Sequence, residues 1–76
     1  MSGRPGTAVE SLRLTVNGEL CEVATSTLAA LLIELGYGDR TVATALNGDF
    51  VPERARAQAS LKAGDQIEIV APRQGG

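Results

Sequence analysis

Leu12, Leu14 and Val16 alternate with Arg13 and Thr15, a period of two that predicts a strand with one buried face. Asn17-Gly18 follows directly, and this pair favours a two-residue type I′ turn because both central positions need positive φ. A hairpin closed there sets Val16 opposite Glu19, Leu14 opposite Cys21 and Leu12 opposite Val23. Thr25, Ser26 and Thr27 then offer side-chain oxygens to the free amides of a helix start. Leu28, Leu31, Leu32 and Leu35 recur at i, i+3, i+4 and i+7, which predicts a helix with one apolar face, Ile33 on its flank and Gly36 as its left-handed stop. A second strand pair is predicted from Thr41 to Leu46, through Asn47-Gly48, to Phe50 and Val51 before Pro52. Glu53 to Ser60 is polar and Ala-rich and reads as a loop or a short helical turn. Leu61 to Asp65 turns the chain into a last strand, Gln66 to Val70, with Ile67 and Ile69 inward.

The order is β-β-α-β-β-β. Two hairpins, one helix and a last strand returning beside the first predict an α+β domain, a mixed sheet of about five strands packed on one helix. This is the β-grasp, or ubiquitin-like, architecture. Parallel pairing of the first and last strands needs a long covered crossover, which the apolar helix can supply. Residues 1–10, without any period, are expected to be a disordered extension. Residues 11–70 form the domain, and 71–76 a flexible tail.

Composition narrows the function. A chain of 76 residues is one domain, which buries only about 60% of its unfolded surface and leaves little room for a capacious active site. Its net charge of −2 gives no basic field for nucleic acid. No apolar run approaches the ~20 residues needed to span a bilayer, and the N-terminus lacks the apolar core of a signal peptide; a cytoplasmic location is expected. With no histidine and one cysteine, the usual zinc and Cys/His nucleophile patterns cannot be assembled, so neither a metal site nor a catalytic residue is assigned. Cys21, opposite Leu14, is expected to pack in the core. The nine carboxylates are scattered and read as solvated faces.

The remaining candidate chemistry is at the end, Gln74-Gly75-Gly76. Glycines without Cβ atoms can enter a slot closed to any side chain, and a carboxylate delivered that way can be activated. Pro72 disfavours helix at Ala71 and cannot donate to a ladder. The six residues after Val70 reach at most about 20 Å, enough to enter a partner's active site while the body stays docked outside. On the outward face of the last strand, Val70 is expected to join Phe50 in a small apolar docking patch beside the tail, with Arg73 adding charge.

Val16-Asn17-Gly18, the run Leu46 to Pro52, the run Ala63 to Val70 and the terminal Gln74-Gly75-Gly76 together resemble the ThiS family, the sulfur carriers of thiamine biosynthesis. The resemblance covers most of residues 12–76. It implies that the Gly76 carboxylate is adenylated by a ubiquitin-activating-type enzyme using ATP and magnesium, then converted to a thiocarboxylate whose sulfur goes to the thiazole ring. Gln74 and Gly75 would thread into the partner. The chain would bind no cofactor and act as a carrier rather than an enzyme, with the adenylating enzyme, thiazole synthase and a sulfur donor such as a cysteine desulfurase as partners. The ten residues before the first strand are longer than the family pattern, and Glu53 to Ser60 lacks the aromatic residue often found there. Two other readings share the tail: the small subunit of molybdopterin synthase, against which Val70-Ala71-Pro72-Arg73 carries no aromatic residue, and a ubiquitin-like protein modifier, for which Lys62 is the only lysine. A β-grasp interaction module with an idle tail is a further alternative.

Overall fold

The computed structural model describes residues 11–72. The expected disordered extension at 1–10 and the expected tail residues Arg73, Gln74, Gly75 and Gly76 lie outside the described residues. In chain order the elements are β1 (Leu12–Val16), β2 (Glu19–Val23), α1 (Leu28–Glu34), β3 (Ala43–Leu46), β4 (Asp49–Val51), a 3-10 helix (Glu53–Gln58) and β5 (Gln66–Val70). The five strands form one sheet in the order β2-β1-β5-β3-β4. Only β1 and β5 run parallel, Thr15 opposite Gln66 and Val16 opposite Ile67. This is the expected mixed sheet, with β5 at its centre.

Both Asn-Gly pairs close hairpins with positive φ at each central residue, 52° and 85° at Asn17 and Gly18, 53° and 88° at Asn47 and Gly48. These are the signs a type I′ turn requires. The first hairpin has the expected register, Leu14 opposite Cys21 and Leu12 opposite Val23. Of the three candidate caps, Thr27 is the one used: its side chain accepts from the Ala30 amide at 3.2 Å. At the other end Gly36 takes φ 92°, the Gly36 amide donates to Ile33 and the Tyr37 amide to Leu32. That bond pair is the Schellman arrangement, which satisfies two carbonyls the helix leaves open.

Leu28, Leu31 and Leu32 of α1 are buried against Leu14, Val23, Val42, Leu61, Ile67 and Ile69. Each buried side chain of this size contributes about 1.5 to 3 kcal/mol of transfer free energy. Two local expectations are corrected, and a third, left between two forms, is resolved. The third strand begins its ladder at Ala43 rather than Thr41, because the register that sets Ala43 opposite Val70 brings Thr41 opposite Pro72, which has no amide to donate. Cys21 packs against the core from its rim and is half-buried rather than enclosed, since β2 is an edge strand. Glu53–Gln58 is the short helical turn, a 3-10 helix.

Candidate functional site

The site begins with how β5 is held, because this strand leads to the tail. Along β1 the parallel ladder proceeds from the Thr15 amide to Asp65 C=O at 3.0 Å and from the Asn17 amide to Ile67 C=O at 2.8 Å. Beyond Asn17 the chain turns back into β2, and no further β1 backbone is available to β5. The Asn17 carboxamide takes its place: Oδ1 accepts the Ile69 amide at 2.8 Å and Nδ2 donates to Ile69 C=O at 3.2 Å. On the other flank Asn47 does the same at the strand's start. Its Oδ1 accepts the Gln66 amide at 2.9 Å, its own amide donates to Gln66 C=O at 2.7 Å, and its Nδ2 donates to Asp65 Oδ1 at 3.0 Å. The two turn asparagines thus brace the central strand from opposite sides and opposite ends.

Past Ile69 the chain runs through Val70 to Ala71 and Pro72, all exposed. Val70 is 63% exposed and Phe50 69%, comparable with Leu20 on β2 at 70% and Ile33 on α1 at 69%. Register places Val70 and Phe50 on the face away from the helix. Phe50 lies opposite Ala45, Ala45 opposite Glu68, and Ala43 opposite Val70. Phe50 and Val70 are therefore separated by the width of β3, roughly 10 Å between their strands, with Ala43 and Ala45 as a low floor between them. Beside this floor a recess of about 240 Å³ is lined by Thr41, Val42, Ala43, Val70 and Pro72. It opens where the chain leaves the sheet.

Two polar arrangements were not legible as such in the sequence. Asp65 is only 6% exposed, against the expectation that every carboxylate lies on a solvated face. Burial by itself raises its pKa, but the hydrogen bond from Asn47, the bond from the Lys62 amide at 2.7 Å and the Lys62 charge outweigh it and hold the carboxyl below its ordinary value. Thr44, 2% exposed, donates to Val51 C=O at 2.8 Å and accepts from Arg56 Nε at 3.1 Å, while Arg56 Nη2 donates to Val42 C=O at 2.6 Å. Arg56 thereby ties the 3-10 helix to β3. The only available signal was a polar residue at an inward position of an apolar alternation, Val42-Thr44-Leu46, which demands a partner.

Of the residues expected to serve the tail chemistry, Phe50 and Val70 share one face, while Arg73, Gln74, Gly75 and Gly76 lie outside the described residues. No three His, Cys, Asp or Glu side chains cluster to hold a metal among the described residues. No helix among them is long and apolar enough to cross a membrane.

The ThiS family model matches residues 14–76 of this chain. A thiazole synthase of Paramagnetospirillum magneticum is 43% identical over 61 residues, which is 79% of this chain and 19% of that protein; the chain spans about a fifth of that relative's length. The crystal structure of a thiamine biosynthesis protein (ThiS) from Geobacter metallireducens superposes with a TM-score of 0.73 at 29% identity, covering 86% of this chain and all of the other.

Proposed function

This chain belongs to the ThiS family, and from that premise we propose that it is the sulfur carrier of thiamine biosynthesis, with Gly76 as its reactive residue. The observation that carries this reading is the family match running through to residue 76, so that it includes Gln74-Gly75-Gly76 as well as the β-grasp body. The likeness in fold to the Geobacter protein supports it.

A carboxylate resists attack at carbon until it bears a good leaving group. An adenylating partner of the ubiquitin-activating type supplies one: a Gly76 carboxylate oxygen attacks the α-phosphorus of ATP, held with magnesium by the partner, and pyrophosphate leaves. Sulfur at the sulfide level then attacks the acyl carbon and expels AMP, leaving the thiocarboxylate. Its sulfur passes to thiazole synthase, and the similarity to a protein of that name supports this destination. A cysteine desulfurase is the proposed upstream source of sulfur: a thiol reductant cleaves its persulfide, is itself oxidised to the disulfide, and releases the sulfide. The carrier is a co-substrate rather than a catalyst and works in the cytoplasm with its ATP-dependent partner. Gln74 and Gly75 thread into the partner, where Gly75 fits because it has no Cβ. Phe50, Val70 and Arg73 form the docking side, with the alanine floor of β3 between the first two.

The test is a mass measurement. Incubated with the adenylating enzyme, ATP, magnesium and sulfide, the chain gains the mass difference between one sulfur and one oxygen. Deleting Gly76, adding one residue after it, or Gly75→Val abolishes the gain, since the acyl carbon no longer sits where the partner aligns it. An intact chain that forms neither adenylate nor thiocarboxylate refutes the proposal, as does normal reaction of the extended chain without trimming.

A further inference from the structure

We propose that Asn17 is a positioning residue for the sulfur-transfer reaction: its carboxamide fixes the root of the tail by holding both backbone groups of Ile69. The role rests on the Gly76 reading above. Its physical basis is the early end of the β1 ladder. Ile69 is paired with β3 on one side, Thr44 opposite it, but on the other side β1 has already turned away at Asn17-Gly18. Its amide and carbonyl facing β1 would have no strand to meet. Asn17 supplies an acceptor at 2.8 Å and a donor at 3.2 Å, so β5 stays braced from both sides up to the residue before Val70. Asparagine suits the position twice over, since it tolerates the positive φ of the turn and carries a donor and an acceptor on one planar group.

The consequence for the reaction is positional. Once threaded and held extended in the partner's slot, the six residues after Val70 reach at most about 20 Å and have little slack, so a displacement of the root is passed on to the acyl carbon or to the docked body. Misplacement by about 1 Å can cost a reaction as much as 10²-fold. A braced root spares the partner from selecting one direction among many after docking.

Asn47 provides the internal control. It sits at the same position of the other Asn-Gly turn, at nearly the same φ, and its side chain also makes two hydrogen bonds, but at the start of β5. Asn17→Gly and Asn47→Gly both keep a residue suited to the turn and remove the carboxamide. In Asn17→Gly the Ile69 amide exchanges about tenfold faster or more with solvent hydrogen, and kcat for adenylate formation falls roughly tenfold while KM for the carrier stays within about twofold, because the docking side is untouched. In Asn47→Gly the Gln66 amide exchanges faster and both kinetic constants stay near wild type. Asn17→Asp keeps the acceptor for the Ile69 amide but, ionised, sets a charge against Ile69 C=O where the donor stood, and it shares the kcat loss. A wild-type chain that forms no adenylate removes the Gly76 reading and this role with it. A reactive wild type beside an Asn17→Gly variant that keeps its kcat, or that is no slower than Asn47→Gly, overturns the positioning role alone.

Discussion

Asn47 Nδ2 stands 3.0 Å from Asp65 Oδ1, while the second carboxylate oxygen accepts the Lys62 amide at 2.7 Å. Eighteen residues separate the pair in sequence, yet it closes the corner where Leu61 to Asp65 turns into β5. A buried carboxylate with a donor at each oxygen stabilises the fold in its ionised form. Because the folded pKa lies below the ordinary value, this stabilisation is complete above the unfolded-state pKa of about 3.9 and is lost as pH falls through the lower folded value. Asp65→Asn leaves one of the two donors facing an NH₂ group. It should lower the unfolding free energy by about 1 to 3 kcal/mol at pH 7, with the difference from wild type shrinking below about pH 4. Urea unfolding at pH 7 and pH 3 checks this; a pH-independent difference contradicts it.

The Arg56–Thr44 contact makes a second prediction. One guanidinium spans two acceptors, the Thr44 hydroxyl on β3 and Val42 C=O just before that strand. Arg56→Ala should cost about 1.5 to 3 kcal/mol, the range for hydrogen bonds from a charged donor. Arg56→Lys should recover less than half of it, because a single ammonium cannot reproduce the planar fork. Denaturant midpoints of the two variants decide the matter, and full recovery by lysine would mean that charge alone holds the 3-10 helix.

On the outer face, Val70 is exposed enough that a polar replacement leaves the core intact. Val70→Glu should raise the Kd for the adenylating partner about tenfold or more, as expected of a central apolar anchor, with the thermal midpoint unchanged within about 2 °C. Titration calorimetry beside a melting curve measures both. Unchanged affinity would move the docking side elsewhere.

Cys21 sits half-buried against the core. Cys21→Ser should destabilise the domain by about 1 kcal/mol through the cost of burying a hydroxyl in part and leave thiocarboxylate formation at Gly76 unaffected. Loss of that reaction in a folded variant would give the thiol a chemical part.

Much of the fold was legible because its signals are local. The alternation of Leu12, Leu14 and Val16, the leucine spacing of α1, Gly36 as a stop and both Asn-Gly turns each depend on residues within a few positions of one another, and each formed as read. The boundary of β3 was not, because it is set by Pro72 across the sheet. The candidate site divides the same way: the outward direction of Val70 follows from strand parity, whereas the gap between Phe50 and Val70 depends on which strand lies between them.

The sequence by itself determined the elements, their order, the inward faces of β1, α1 and β5 and the family, since periodicity, turn chemistry and motif spacing are properties of neighbouring residues; the burial of Val42 and Leu61 was added by the fold. Tertiary structure alone decided that the two turn asparagines grip the central strand, that Asp65 is buried and that Arg56 satisfies Thr44. A hydrogen bond between Asn17 and Ile69 joins residues 52 positions apart, and nothing in the identity of either residue announces the other. The bond exists because β1 ends its ladder where β5 still has backbone groups to satisfy, and that mismatch arises only once the two strands lie side by side.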